Sequence, residues 1–281
     1  MSKVRVVSFA MILLTILCLG DIIDFAGDGR YVGATGPWAF RANPAGIVEN
    51  ELRQLLISNT LRFGTSNVRS FSVSLIQPAK DSLAGVLSLS SDFSDLNKER
   101  LGFLYGVAGR SGNVDLGLNI GLERIKESSV ENYSVFIDVG VRGKFVEDGY
   151  AYYSIAVKKF RVWSSDSDLM NKADIGAGIS LEFDQMKFSF DAMYVSNEFW
   201  NFAPGAQLNL LPVNLYFAVP FFYAPETSKG SLSLDFGGDV QIGDFNLGVS
   251  VYYPFSKQSG SDLFNELSYD WHIDFRVGIK W

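Results

Sequence analysis

From about Leu55 onward the chain repeats one pattern: runs in which every second residue is apolar and the residues between are small, polar or charged. A strand turns successive side chains to opposite faces, so each run has one greasy side and one polar side. In the last run Trp271, Ile273, Phe275, Val277, Ile279 and Trp281 alternate with His272, Asp274, Arg276, Gly278 and Lys280. Val114, Leu116, Leu118, Ile120 and Leu122 alternate with Asp115, Gly117, Asn119, Gly121 and Glu123 in the same way. Such runs last about 10–12 residues, the span of a tilted strand across hydrocarbon and about twice the usual strand of a soluble sandwich. A water-soluble protein with this many long apolar faces would expose more hydrophobic surface than monomers carry. In lipid, unpaired sheet edges cannot be solvated, so the sheet must close on itself. The expected fold is all-β: a transmembrane antiparallel β-barrel.

The connections give a strand count. Strands are expected near 55–64, 68–77, 82–92, 99–109, 113–124, 132–145 and 149–161. The others fall near 173–183, 186–196, 206–210, 214–223, 230–242, 245–255 and 270–281. Short links (Pro78–Asp81, Arg110–Gly112, Val146–Asp148, Asp184–Gln185, Leu211–Val213, Gly243–Asp244) alternate with mostly longer ones, such as Val162–Lys172, Asn197–Gly205 and Ser256–Tyr269. Barrels of the bacterial outer membrane alternate short periplasmic turns with longer outer loops. The reading is therefore about fourteen strands, both ends periplasmic. The Ala206–Tyr223 region sets the alternative: without a turn at Pro212 it merges into one strand, and loss of the weak first strand then leaves twelve.

The first 54 residues lack this alternation. Lys3 and Arg5 precede an apolar stretch, Phe9 to Leu19, followed by Gly20 and Asp21, the layout of a secretory signal peptide over 1–20. Cys18, the single cysteine, lies within it, preceded by Leu17 where a lipid-attachment signal would have a small residue. Residues 21–54 then form a segment whose Phe25, Trp38, Phe40 and Ile47 require burial. Asn43 followed by Pro44 is a helix start, since Asn caps free backbone N–H groups and Pro suits the first helical position. With the barrel over 55–281, a short N-terminal plug containing a small helix is expected inside the lumen.

The segment from Tyr31 to Gly46, ending in Asn43–Pro44–Ala45–Gly46 between a signal peptide and a barrel, resembles the long-chain fatty acid transporter superfamily of outer-membrane barrels. That superfamily includes aromatic-hydrocarbon channels and barrels of type IX secretion. The resemblance implies fourteen strands, a lumenal plug and a hydrophobic small-molecule cargo. The segment before Asn43 is shorter than a full transporter plug and the loops are modest, so the chain reads as a reduced member. The aromatic end of the closing strand, Phe275, Ile279 and Trp281, resembles the signal by which the barrel assembly machinery recognises its clients.

Chemistry beyond passage has little material. A net charge of −7 without a basic cluster excludes nucleic acid. His272 is the single histidine; it falls on the lumenal face with Asp274 and Arg276, without a GxSxG elbow, and reads as a hydrogen-bonded lumen residue rather than part of a triad. No enzyme is expected. One His and no Cys beyond the leader leave no zinc site, and Asp166–Ser167–Asp168 lacks calcium-loop spacing, so neither metal nor cofactor is expected. Lumenal charges of both signs, among them Asp115, Glu123, Asp138, Arg142 and Glu182, should pair across the barrel. Tyr150, Tyr152, Phe160, Tyr216 and Phe222 share lumenal parity and would line or fill it. Two functions remain: a channel or carrier for small hydrophobic molecules, or a structural barrel with a blocked lumen. Either would be a monomer in the bacterial outer membrane, in contact with its lipid.

Overall fold

The computed structural model describes residues 37–63, 67–80, 83–94, 98–146, 149–170, 172–183, 185–195, 199–210, 212–226, 229–255 and 271–281. The expected signal peptide, the first part of the plug and the Ser256–Tyr269 loop lie outside them. Strands are β1 (Gln54–Phe63), β2 (Val68–Lys80), β3 (Leu83–Ser94), β4 (Lys98–Ser111), β5 (Val114–Glu127), β6 (Val130–Lys144), β7 (Ala151–Ser164) and β8 (Asp174–Glu182). They continue as β9 (Met186–Val195), β10 (Phe199–Leu210), β11 (Val213–Ala218), β12 (Phe221–Ala224), β13 (Lys229–Ile242), β14 (Phe245–Pro254) and β15 (Trp271–Lys280). Consecutive strands pair antiparallel except β11 with β12, and β1 pairs with β15 from Gln54 opposite Lys280 to Phe63 opposite Trp271, so the sheet closes. Gln54 thus belongs to the wall and not to the plug.

The fifteen segments make fourteen staves. Both β11 and β12 lie between β10 and β13, and the register runs unchanged across the gap: Gly205 opposite Ala218, then Phe202 opposite Phe221. Pro220 sits in the gap and has no N–H for the ladder, which interrupts the bonding without bending the stave away. The twelve-strand alternative is excluded. The reversal lies at Pro212, between β10 and β11, which is why the apolar parity switches there. One boundary is corrected: Asn197–Gly205 was expected as an outer loop, yet β10 begins at Phe199. Pro204 and Gly205 hid it, because they break the alternation while Pro204 still gives its carbonyl to the Val219 N–H at 3.0 Å.

The outward face carries the apolar residues. On β5, Leu116, Leu118, Ile120 and Leu122 are exposed, and the next outward residue is Arg124, ion-paired to Glu131 at 2.8 Å. Exposed aromatics ring both borders: Phe145, Tyr150, Phe183, Phe245 and Trp281 at the short-turn end, Phe93, Tyr133, Trp163, Phe255 and Trp271 at the other. An apolar band between aromatic girdles is the surface of an outer-membrane-type barrel. Ile120, midway along the band, should not accept charge. Ile120→Arg is expected to cost about 2–4 kcal/mol of stability in vesicles, read from urea unfolding; a loss below 1 kcal/mol, in order-of-magnitude terms, would place the band elsewhere.

Two aromatics expected in the lumen are outside it. Phe160 is 55 % exposed. A bulge in β7 centres on Lys159, whose φ of 52° is left-handed and whose N–H donates to Asp138 Oδ1 at 2.8 Å. The extra residue reverses parity, so Arg161 points inward and Phe160 outward. Tyr150 precedes β7, free of the ladder's alternation, and stacks on Phe183 at the rim, 5.6 Å between centroids.

Candidate functional site

Inside the barrel the chain before β1 forms two 3₁₀ turns, Ala39–Arg41 and Pro44–Glu49, pressed against β2 to β6. Asn43 begins the second turn: its Oδ1 accepts from the Ala45 N–H at 3.0 Å, and its Nδ2 donates to the carbonyl of Val141 at 3.2 Å. One side chain thereby caps the turn and fastens it to the wall. The turn ends at Glu49, where Asn50 turns back and donates to the Ile47 carbonyl at 2.8 Å.

The seat is made by two glycines. Gly117 on β5 lies directly opposite Gly140 on β6. A β-carbon on Gly117 would enter the backbone of Pro44 and Ala45, and one on Gly140 would enter the Asn43 amide. The wall is therefore bare where the plug backbone meets it. Beside this seat Phe40, Ile47 and Val48 pack on Leu56, Ile76, Ala84, Val86 and Ala108, an apolar patch on the inner wall.

Charged side chains hold the far end of the plug. Glu49 accepts from Arg110 at 2.6 Å and from Arg142 at 3.1 Å. Arg142 also pairs with Glu182 at 3.0 Å and Asp115 at 3.7 Å, while its guanidinium lies 4.1 Å over the Tyr152 ring. Its side chain is 3 % exposed. Farther from the short turns, Arg100 pairs with Asp92 and Glu123, and Arg161 reaches Glu123 at 3.3 Å. The mixed lumenal charges are thus spent on one another and on the plug, as the sequence led us to expect.

Two further features complete the lumen. Away from the short turns, Ala156, Met193, Val195, Phe199, Phe222 and Tyr252 form one buried apolar cluster drawn from β7, β9, β10, β12 and β14. These staves span about half the ring, so the cluster reaches across the lumen rather than along one wall. Near the short turns, the described part of the plug lies mainly against β2 to β6, with further contacts to Leu56 on β1 and Ile155 on β7. Beside it lies a cavity of about 310 Å³, walled by β9, β10, β11, β13, β14 and β15, by Gln54 of β1 and by Pro37, Trp38 and Ala39 of the plug.

The expected site residues fall as follows. Asn43, Ala45 and Pro44–Gly46 as a whole are buried in the seat. His272 is buried and stacks on Tyr252, 4.8 Å between ring centroids. Asp274 accepts from Thr60 at 2.7 Å and pairs with Arg276 at 3.0 Å. Phe275, Ile279 and Trp281 lie on the outward face; Trp281 is held by its N–H to the Arg53 carbonyl at 3.1 Å. Sequence reading missed the Gly117–Gly140 seat, although a glycine on a polar face, where every neighbour is polar or charged, was a visible sign of close approach. It also missed Glu49 as the plug's anchor.

No family model matches the chain, and no curated protein matches it in sequence. Among solved structures the barrel is similar to the CymD monoaromatic hydrocarbon channel (TM-score 0.61, 12 % identity, covering 87 % of this chain and 92 % of that one). It is similar to a Pseudomonas aeruginosa FadL homologue (TM-score 0.60, 12 % identity, covering 93 % of this chain and 99 % of that one). Against CdiB from Acinetobacter baumannii the TM-score is 0.50 at 9 % identity, and the chain spans 60 % of that protein's length. At these identities the likeness is one of fold alone, that of a β-barrel of the outer-membrane type.

Proposed function

We propose that the protein is a passage for small hydrophobic molecules across a bacterial outer membrane, closed in this structure by its own N-terminal segment. One observation carries the reading: the described part of the plug is a separate segment seated on the inner wall, with a cavity of about 310 Å³ beside it. A purely structural barrel has no need of a separate stopper or of a 310 Å³ space beside it. The hydrophobic cargo rests on the apolar cluster around Phe199 and Phe222, and on likeness of fold to a protein named as a hydrocarbon channel. The chain would enter the membrane as a monomer through the barrel assembly machinery, its outward apolar band facing lipid.

The test is single-channel recording of the refolded barrel in planar bilayers, with and without toluene or a long-chain fatty acid. A mostly shut protein whose openings become more frequent with the hydrophobic probe supports the passage. A second reading, a structural barrel with a permanently blocked lumen, is favoured by the same cross-lumen cluster. It predicts silence under both conditions, even when the plug has been displaced.

A further inference from the structure

The cavity beside the plug has a chemistry unlike that of a hydrophobic conduit. We propose that it is a binding site for a neutral polyhydroxyl ligand, one or two saccharide rings, entering from the short-turn end of the barrel. This is independent of whether the barrel conducts. Its 310 Å³ lies at the lower end of the about 300–1,000 Å³ typical of ligand sites.

The lining has the three elements that saccharide recognition needs: planar amides, fixed carboxylates and aromatic faces. Asn214 on β11 and Asn246 on β14 each donate Nδ2 to the same oxygen, Asp239 Oδ1, at 3.0 Å. Asp239 thereby fixes both amides, and among the described residues neither amide oxygen has a hydrogen-bond partner. Two oriented acceptors thus border the cavity, a pattern suited to vicinal hydroxyl donors. Gln207 and Gln241 add further amides to its lining.

Tyr216 is held in place as rigidly. It lies opposite Gly237, where any β-carbon would strike its hydroxyl, and that hydroxyl accepts from Arg276 at 3.1 Å. Trp38 of the plug supplies the second ring in the lining. Aromatic faces pack against the C–H faces of pyranose rings while amides and carboxylates take the hydroxyls. An anionic ligand is disfavoured because Asp191 and Asp239 line the cavity and two of its cations already have carboxylate partners, Lys187 in Glu182 at 2.8 Å and Arg276 in Asp274 at 3.0 Å.

Tryptophan fluorescence provides a clean readout. Of the five tryptophans, Trp163, Trp200, Trp271 and Trp281 are exposed on the outer face, so an aqueous saccharide meets Trp38 alone. The detergent-refolded full chain would be titrated with maltose, with N-acetylglucosamine and, as an anionic amphiphile, with hexanoate. Saturable change with either saccharide, absent in Trp38→Phe and weakened at least about tenfold in Asn214→Leu, supports the site. Calorimetric titration of Trp38→Phe should still detect saccharide. Unchanged heat-modifiable gel migration of each variant shows that its barrel has folded; should Asn214→Leu fail to fold, Gln207→Leu replaces it. Saturation by hexanoate alone overturns the proposal in favour of an anion site, and saturation by neither overturns it outright. Neither result alters the passage reading, which is decided by conductance.

Discussion

The Gly117→Leu, Gly140→Leu double variant should conduct more than the parent protein, since the proposed passage is closed by the segment those glycines seat. The side chains would arise where the backbone of Pro44 and Ala45 and the amide of Asn43 now rest against bare wall. Backbone cannot swing aside as a flexible side chain can, so the plug must leave its seat. The barrel should survive, because the staves are bound to one another through continuous ladders that these substitutions do not touch. Conductance is expected to rise several-fold, with heat-modifiable migration unchanged. Asn43→Ala gives a graded comparison. Losing a cap costs about 1 kcal/mol and the bond to Val141 a similar amount, so the plug should dissociate intermittently rather than permanently. Unchanged conductance in the double variant, together with a plug newly cut by protease, would show that something other than the plug closes the pore, with the Phe199–Phe222 cluster the first suspect.

Arg142→Ala should be among the most destabilising single changes in the lumen. This guanidinium faces Glu49, Asp115 and Glu182, and its side chain is almost wholly buried. Its removal takes one of two cations from Asp115, which is 5 % exposed, and from the more exposed Glu49 and Glu182. The loss is therefore expected at or below about 3 kcal/mol, the lower end of what a buried pair costs when it loses one partner. Arg110 remains to hold Glu49 and Asp115, which leaves Glu182 with Lys187. Urea unfolding in detergent would read the loss, and the plug should loosen in parallel. Arg142→Lys keeps the charge but cannot bridge several carboxylates with a planar fork, so it should fall between the two. A midpoint indistinguishable from the parent's would mean that water reaches this cluster and screens it.

Much of the wall was legible because period two is a strong signal when one face meets lipid: β5 and β15 were readable residue by residue. The readings failed where the backbone departs from that period. At Lys159 a single extra residue reversed the parity and moved Phe160 outside, and nothing in the surrounding sequence marks a bulge. At Pro204 the reverse occurred, a residue that argues against a central strand sitting within one, because its carbonyl still serves the neighbouring stave. The plug was legible at its start, where Asn43–Pro44 is a local signal, but not in its contacts. Glu49 meets Arg142 across 93 positions of chain, a pairing that no local pattern encodes.

The plug touches β2 to β6, while the seam that closes the ring joins β1 to β15, the first and last staves in the chain. Contacts between distant positions form late, because the loop they close is long. With Leu56 on β1 and Ile155 on β7 added, the partners of the described plug all lie in the first seven staves, whereas the seam needs the last. A stopper seated on an open, curving sheet is simply enclosed when the edges meet; one arriving afterwards would have to thread a finished cylinder. Nearness in the chain therefore favours wrapping over insertion, with the seated plug enclosed as the early staves curve around it.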